Sequence, residues 1–346
     1  MGNSNRKNVF IVGAGASKEF GLPTGPELTE IIRAISSVAA RRDQIKTASK
    51  ESLLYAIRRL AAERDPDKPD INGFYGAARI IANNMQLAPS IDNFLDTHRD
   101  NDYIVNLGKL LIAITIHGAE RSSHLYVSGG NIYNTINTND IKDTWIARLF
   151  GILVSQRDFH EFIKALDNIT FISFNYDRCI EQFFLHASKS YFHLDSSKLN
   201  CVREALNVIH PYGSLGQLEW NHPIDTGFGA DLHPAELVAS SKKIKTFTEG
   251  ADSEIISAID ESLAGSDLAI FLGFSFLPLN MKLLLQDKKY SFDRVIGTGK
   301  GLSNESRKIV TEEIASQMTE GSKERISIID GTCSDLFYEH YRYLMK

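Results

Sequence analysis

Asn8-Val-Phe-Ile-Val-Gly-Ala-Gly-Ala-Ser17 is the stretch from which the fold of this chain is read. Val9 to Val12 are four consecutive apolar residues, β-branched or aromatic, as a buried strand prefers. Gly13, Ala14, Gly15, Ala16 and Ser17 follow where a strand would turn into a helix. Small side chains there let backbone N–H groups approach a phosphate, and a helix N-terminus adds a favourable dipole. Two readings stand together: a cradle for a nucleotide diphosphate, and an ordinary tight strand-to-helix turn. Lys18 occupies the place of the third glycine of the dinucleotide pattern G-x-G-x-x-G, so the full fingerprint is absent.

Downstream, the chain reads in two grammars. Thr24 and Glu27 form a capping-box pattern, and Leu28, Ile31, Ile32 and Ile35 repeat at helical spacing. A second amphipathic helix runs through Leu53, Leu54, Ile57, Leu60 and Ala61. The polar, proline-containing stretch Asp65 to Gly73 reads as a surface loop. Ser90 caps a helix carrying Asp92 and Asp96, an acidic pair one turn apart of the kind usually found on a solvated face. A long helix follows through Ile104, Leu107, Leu110, Leu111 and Ile114. Residues 121–140 read as loop, with Leu125-Tyr-Val127 as a candidate short strand, and two more helices lie near 143–154 and 156–166. Residues 24–167 are thus expected to be a mainly helical insertion.

From residue 169 short apolar runs alternate with helical patterns. The runs are Ile169–Phe174, Leu206–His210, Leu268–Gly273, Arg294–Gly297 and Arg325–Asp330. With Val9–Val12 they make about six strands, the count of a doubly wound parallel α/β sheet. The expectation is one α/β domain over residues 1–346, interrupted by the helical block.

Ligands of such sheets sit beyond the carboxyl ends of the strands. There the sequence delivers Gly13–Ser17, Asn175-Tyr-Asp177, His210-Pro-Tyr-Gly-Ser214, Gly273-Phe-Ser-Phe276, Gly297-Thr-Gly299 and Asp330-Gly-Thr332. Small or polar residues after every strand point to a ligand site more firmly than any one motif. Asn175 can fix a ribose hydroxyl or a water, or cap the helix that follows, a task Asp177 suits better. His210 is either a neutral general base or a core histidine. Ser275 either bonds a phosphate or ends a strand in a turn.

Bulk properties narrow the classes. A net charge of −5 implies no broad basic field, against direct nucleic-acid binding. Three scattered cysteines, Cys179, Cys201 and Cys333, fit neither a zinc site nor a disulfide framework. His222 and His233 lack supporting carboxylates, and no catalytic metal is expected. No stretch approaches the ~20 apolar residues of a membrane span, and the chain is expected to be cytoplasmic. A P-loop and a G-x-S-x-G elbow are absent. No acidic residue follows a second strand ~20 residues after the glycine turn, against a dehydrogenase.

Taken in order, Gly13-Ala-Gly-Ala-Ser17 with Gly21-Leu-Pro23, Phe174-Asn-Tyr-Asp177, His210-Pro-Tyr-Gly213 and Gly273-Phe-Ser275 resemble the sirtuin family. The resemblance is closer to its bacterial NAD-hydrolysing branch, found in antiphage defence systems. It spans residues 9 to about 300 and implies a Rossmann-like fold with NAD as ligand. It further implies that Asn175 and His210 are the catalytic pair. The cofactor would be held by Gly13, Ala14, Gly15, Ser17, Asp177, Gly213, Gly273 and Ser275. Asp92, in Ser-Ile-Asp-Asn-Phe-Leu, resembles a recurring element of these hydrolases and would face the pocket. The paired cysteines of the deacylases' zinc module are missing, and Thr24-Gly-Pro26 stands where they carry an Asp-Phe-Arg-like stretch. These departures favour NAD⁺ cleavage over protein deacylation or ADP-ribosylation. The resemblance also implies control by assembly, as a homo-oligomer or with a separate sensor or ATPase partner.

Overall fold

The computed structural model describes residues 6–40, 48–128, 135–218, 227–250, 252–286, 288–319 and 323–345. The run that opens the chain is β1, Asn8–Val12. Its last four residues are no more than 1% exposed, so both faces are covered, as in a parallel sheet flanked by helices. The other strands are β2 (Ile169–Ser173), β3 (Asn207–Ile209), β4 (Leu268–Leu272), β5 (Arg294–Thr298) and β6 (Ile326–Ile329). All pair in parallel, in the order β3-β2-β1-β4-β5-β6. The expected doubly wound α/β sheet is therefore present. The chain builds outward from β1 to β3, then returns to the other side of β1 for β4 to β6. The reversal between β1 and β4 is the place where such sheets open a crevice at their carboxyl ends.

The chain divides into two compact units, Met1–Leu22 with Ser123–Pro211 and Ala251–Lys346, and Pro23–Ser122 with Tyr212–Gly250. The first holds the whole sheet, and also the Trp145–Val154 and Phe159–Asp167 helices that the sequence reading assigned to the insertion. The helical unit is thus narrower than 24–167 at its far end, and it regains residues 212–250 from beyond β3.

Within the sheet unit, Glu19 locks the segment that follows the glycine turn. Its carboxylate accepts from the backbone N–H groups of Trp145 and Ser334, each at the start of a helix, both at 2.8 Å. A carboxylate at two helix N-termini satisfies orphan donors and meets two favourable dipoles. The Trp145 indole then donates to the carbonyl of Ala16 at 3.1 Å. Leu125-Tyr-Val127 joins no sheet: the Leu125 carbonyl accepts from the Gln182 side chain at 3.2 Å instead of from a partner strand.

Within the helical unit, the Asp102–Ser122 helix is buried around most of its circumference, through Ile104, Leu107, Leu110, Leu111, Ile112 and Ile116. The Asp65–Gly73 loop ends early. Asp70 accepts from the N–H groups of Asn72 and Gly73 and so starts the Ile71–Asn84 helix inside the expected loop. Ser90 caps the Ile91–Thr97 helix as expected, accepting from Asn93 N–H at 3.2 Å. No helix among the described residues is long and apolar enough to cross a membrane.

Candidate functional site

At the switch between β1 and β4 the glycines pack backbone on backbone. The N–H of Gly13 donates to the carbonyl of Leu272 (2.9 Å) and that of Gly15 to Gly273 (3.0 Å). A Cβ on Gly273, whose φ is +56°, would lie 2.1 Å from the Ala16 nitrogen, and one on Gly13 would lie 2.6 Å from the Gly273 carbonyl oxygen. Ala16 N–H donates to Gly13 at 2.9 Å. Three N–H groups of the turn are therefore committed to protein carbonyls and are not offered to a phosphate. Of the two readings of the turn, these contacts account for the small residues by the tight turn, where two chain segments meet. Ser275 fares differently. It is exposed between the buried Phe274 and Phe276, and its hydroxyl is bonded to nothing among the described residues.

β2 continues its ladder one residue past the strand, through Phe174 N–H to Val12 carbonyl at 2.9 Å, and then turns. Asn175 is buried at that turn. Its amide nitrogen donates to the Gly13 carbonyl (3.0 Å) and to Ser17 Oγ (2.9 Å). Because a carbonyl only accepts, this fixes which end of the amide is nitrogen. Ser17, having accepted from Asn175, donates its hydroxyl to Asp177. Asp177 in turn accepts from Cys179 N–H at 3.1 Å, although the N-cap of the Cys179–Phe192 helix is Arg178 rather than the expected Asp177. Burial pushes the Asp177 carboxyl above the ordinary carboxylate range, and the nearby Glu181 adds to this against the hydrogen bonds it accepts. Asn175, Ser17 and Asp177 thus form one relay that anchors the glycine turn. The Asn175 amide oxygen is the end left over, and it accepts no bond among the described residues.

His210 follows β3 directly. Ile209 lies opposite Ile172 in β2, which brings the imidazole to the same turn. Nδ1 is 3.0 Å from the Asn175 carbonyl oxygen, and Nε2 is 3.0 Å from Glu181 Oε1. Burial opposes charge on the ring. The Glu181 carboxylate, by charge and by hydrogen bond, outweighs it with help from the Asn175 carbonyl and Asp177, and His210 is raised above its ordinary value. The sequence reading offered a neutral base; the bonding here favours the charged ring. Glu181 is the residue that reading missed. In sequence it is an ordinary acidic residue in the first turn of the Cys179–Phe192 helix, a place carboxylates favour for the dipole alone. Only the pairing of β2 with β3 reveals its partner.

Asp92 and Gly213 belong to the helical unit, whereas the other expected site residues belong to the sheet unit. Gly213 has φ +68°, and a Cβ there would lie 2.0 Å from the Lys243 carbonyl oxygen, so its backbone conformation and its neighbour both demand glycine. Burial, followed by the charges of Asp92 and Asp96, raises the Tyr212 hydroxyl far above its ordinary range. The acidic pair is half-buried near Tyr212, which differs from the solvated face expected of it.

A second cluster in the helical unit mimics a hydrolase triad. His117 Nε2 lies 3.2 Å from Ser240 Oγ, and Nδ1 lies 4.0 Å from Glu120. The Ser240 hydroxyl donates to the Leu215 carbonyl at 2.9 Å, so it accepts from His117 and cannot give its proton to that ring. All three side chains are buried. His233 caps the Pro234–Ser241 helix, and His222 lies outside the described residues. Neither a protein-family model nor a curated protein matches the chain.

Proposed function

We propose that the protein is an NAD⁺ glycohydrolase, releasing nicotinamide and ADP-ribose. The observation that carries this reading is the meeting of Asn175, Asp177, His210 and Glu181 at the carboxyl ends of β2 and β3, beside the glycine turn of β1. It is joined by the ordered resemblance of the motifs to sirtuin-like NAD hydrolases. The chemistry asks little of a metal. The bond from C1′ to the pyridinium nitrogen breaks, its electron pair leaves with neutral nicotinamide, and the ribose becomes oxocarbenium-like. Water oxygen then bonds to C1′ and one proton is released. The Asn175 amide oxygen would orient that water or a ribose hydroxyl, and His210 would hold the sugar. Ser275 would bond the diphosphate or the adenosine ribose. An unregulated activity of this kind would be toxic to a host, so control by self-assembly or by a sensor partner is part of the proposal, as is a role in antiphage defence.

The test is incubation of the purified chain with NAD⁺, with and without candidate partners, reading nicotinamide and ADP-ribose by mass spectrometry. Asn175→Ala and His210→Ala are expected to lower NAD⁺ loss by at least about 100-fold while the circular dichroism spectrum is kept. Wild-type turnover by His210→Ala would remove that residue from the mechanism. One observation favours a second reading, a subunit that binds NAD or ADP-ribose without cleaving it: both ring nitrogens of His210 are engaged, by the Asn175 carbonyl and by Glu181 Oε1. Saturable binding with no turnover in the presence of partner would decide for it.

A further inference from the structure

The acceptors on either side of His210 settle more than its orientation. The Asn175 carbonyl oxygen and Glu181 Oε1 both only accept, and each lies 3.0 Å from a ring nitrogen. A neutral imidazole carries one N–H, so it can satisfy one of them and must set a lone pair against a lone pair at the other. The doubly protonated ring satisfies both. Two charged groups face the ring: Glu181, from the Cys179–Phe192 helix, and Asp177, from the loop after β2. Burial drives the Asp177 carboxyl toward its neutral form, which leaves Glu181 as the principal counter-charge. Glu181 is itself in need of one. Its second oxygen, Oε2, is buried without a hydrogen-bond donor, and a carboxylate so placed is costly unless a cation adjoins it. The side chains are 12% and 21% exposed, so water screens the pair only partly.

We infer that Glu181 is the positioning residue of His210: it fixes the ring through Nε2 and keeps both ring nitrogens protonated, so that His210 meets a ligand as a positive charge whose two N–H groups are already held by the Asn175 carbonyl and Glu181. To act as a base, His210 must first pass its Nε2 proton to Glu181 Oε1, leaving a neutral imidazole and a neutral carboxylic acid. The use of this pair in NAD⁺ cleavage rests on the function proposed above, whereas the protonation of His210 does not.

The experiment is an NMR titration of the histidine imidazoles in the full chain, with His210 assigned by its loss in His210→Gln. The wild-type midpoint is expected above ~6.5, the ordinary histidine value, with both ring nitrogens protonated below it. In Glu181→Gln the midpoint is expected to fall by about one unit or more, since burial is then opposed only by the Asn175 carbonyl and Asp177. Glu181→Asp, which retains the charge, is expected to keep it raised. A wild-type midpoint at or below the ordinary value overturns the inference, as does a folded Glu181→Gln with an unmoved midpoint. Should Glu181→Gln fail to fold, the wild-type and Glu181→Asp midpoints decide alone. In parallel, the limb of the pH profile for NAD⁺ loss that reports His210 should move to lower pH in Glu181→Gln by the same amount. An absence of NAD⁺ loss in wild type would sink the proposed function and leave the titration to judge the pair.

Discussion

Ser17 shows how a single hydroxyl can serve two roles. It accepts from the Asn175 amide and donates to Asp177, so it holds the turn after β2 against the turn after β1. Ser17→Ala leaves a buried amide N–H and a buried carboxyl each short of a partner. The expected cost is about 1–3 kcal/mol of stability in urea denaturation, together with reduced NAD⁺ loss as Asn175 loosens. A Ser17→Ala protein as stable as wild type would mean that the relay contributes nothing. The sequence made Asn175 and His210 visible because both stand immediately after apolar runs, where a parallel sheet presents its ligands. Glu181 was invisible for the opposite reason. Its partner is 29 positions away and is brought to it only by strand pairing.

At the scale of the element, the strands were the most legible feature, because each is a short apolar run bounded by small or polar residues. The glycine turn was legible as a turn, with its purpose left between a cradle and a tight strand-to-helix turn. Its small residues suggested room for a phosphate, yet Gly13, Gly15 and Gly273 are needed by each other. Gly273→Ala is accordingly expected to destabilise the fold by about 3 kcal/mol or more, since it adds backbone overlap to an unfavourable φ. Thermal melting would check this, and a loss below about 1 kcal/mol would show that the two segments can part cheaply. The helix starting at Ile71 was hidden inside a polar stretch because one capping aspartate, Asp70, outweighed two prolines and the composition around it. Leu125-Tyr-Val127 had the composition of a strand and found a glutamine side chain in place of a neighbour.

For the whole molecule, the ionisable groups predict a stability that falls on both sides of neutrality. Asp195 and Asp335 accept backbone hydrogen bonds as helix caps, and these hold their carboxyls below the ordinary range. The stability they contribute is present above ~3.9 and is lost as pH falls through their depressed folded values. His210 runs the other way. Its folded value is raised, so its contribution is complete below ~6.5 and is lost as pH climbs through the folded value. Denaturation midpoints measured across this range should decline on the alkaline side, and His210→Gln should flatten that decline. An unchanged alkaline slope in the variant would assign it to another group. The division into two units was only half legible, because residues 212–250 rejoin the helical unit after β3 and nothing in their composition announces the return.

The central position of β1 has a consequence for the birth of the protein. The strand is the first to leave the ribosome, yet its partners begin at Ile169 on one side and Leu268 on the other. At about 5–20 residues per second, roughly ten to fifty seconds separate its emergence from that of its second neighbour. Both edges of this apolar strand stay open until β2 emerges and one stays open until β4 follows, a template for pairing with other chains. The sheet can close around β1 only after Leu268–Leu272 has been made, so the growing polypeptide needs shelter, from a chaperone or from its own early helices, until then.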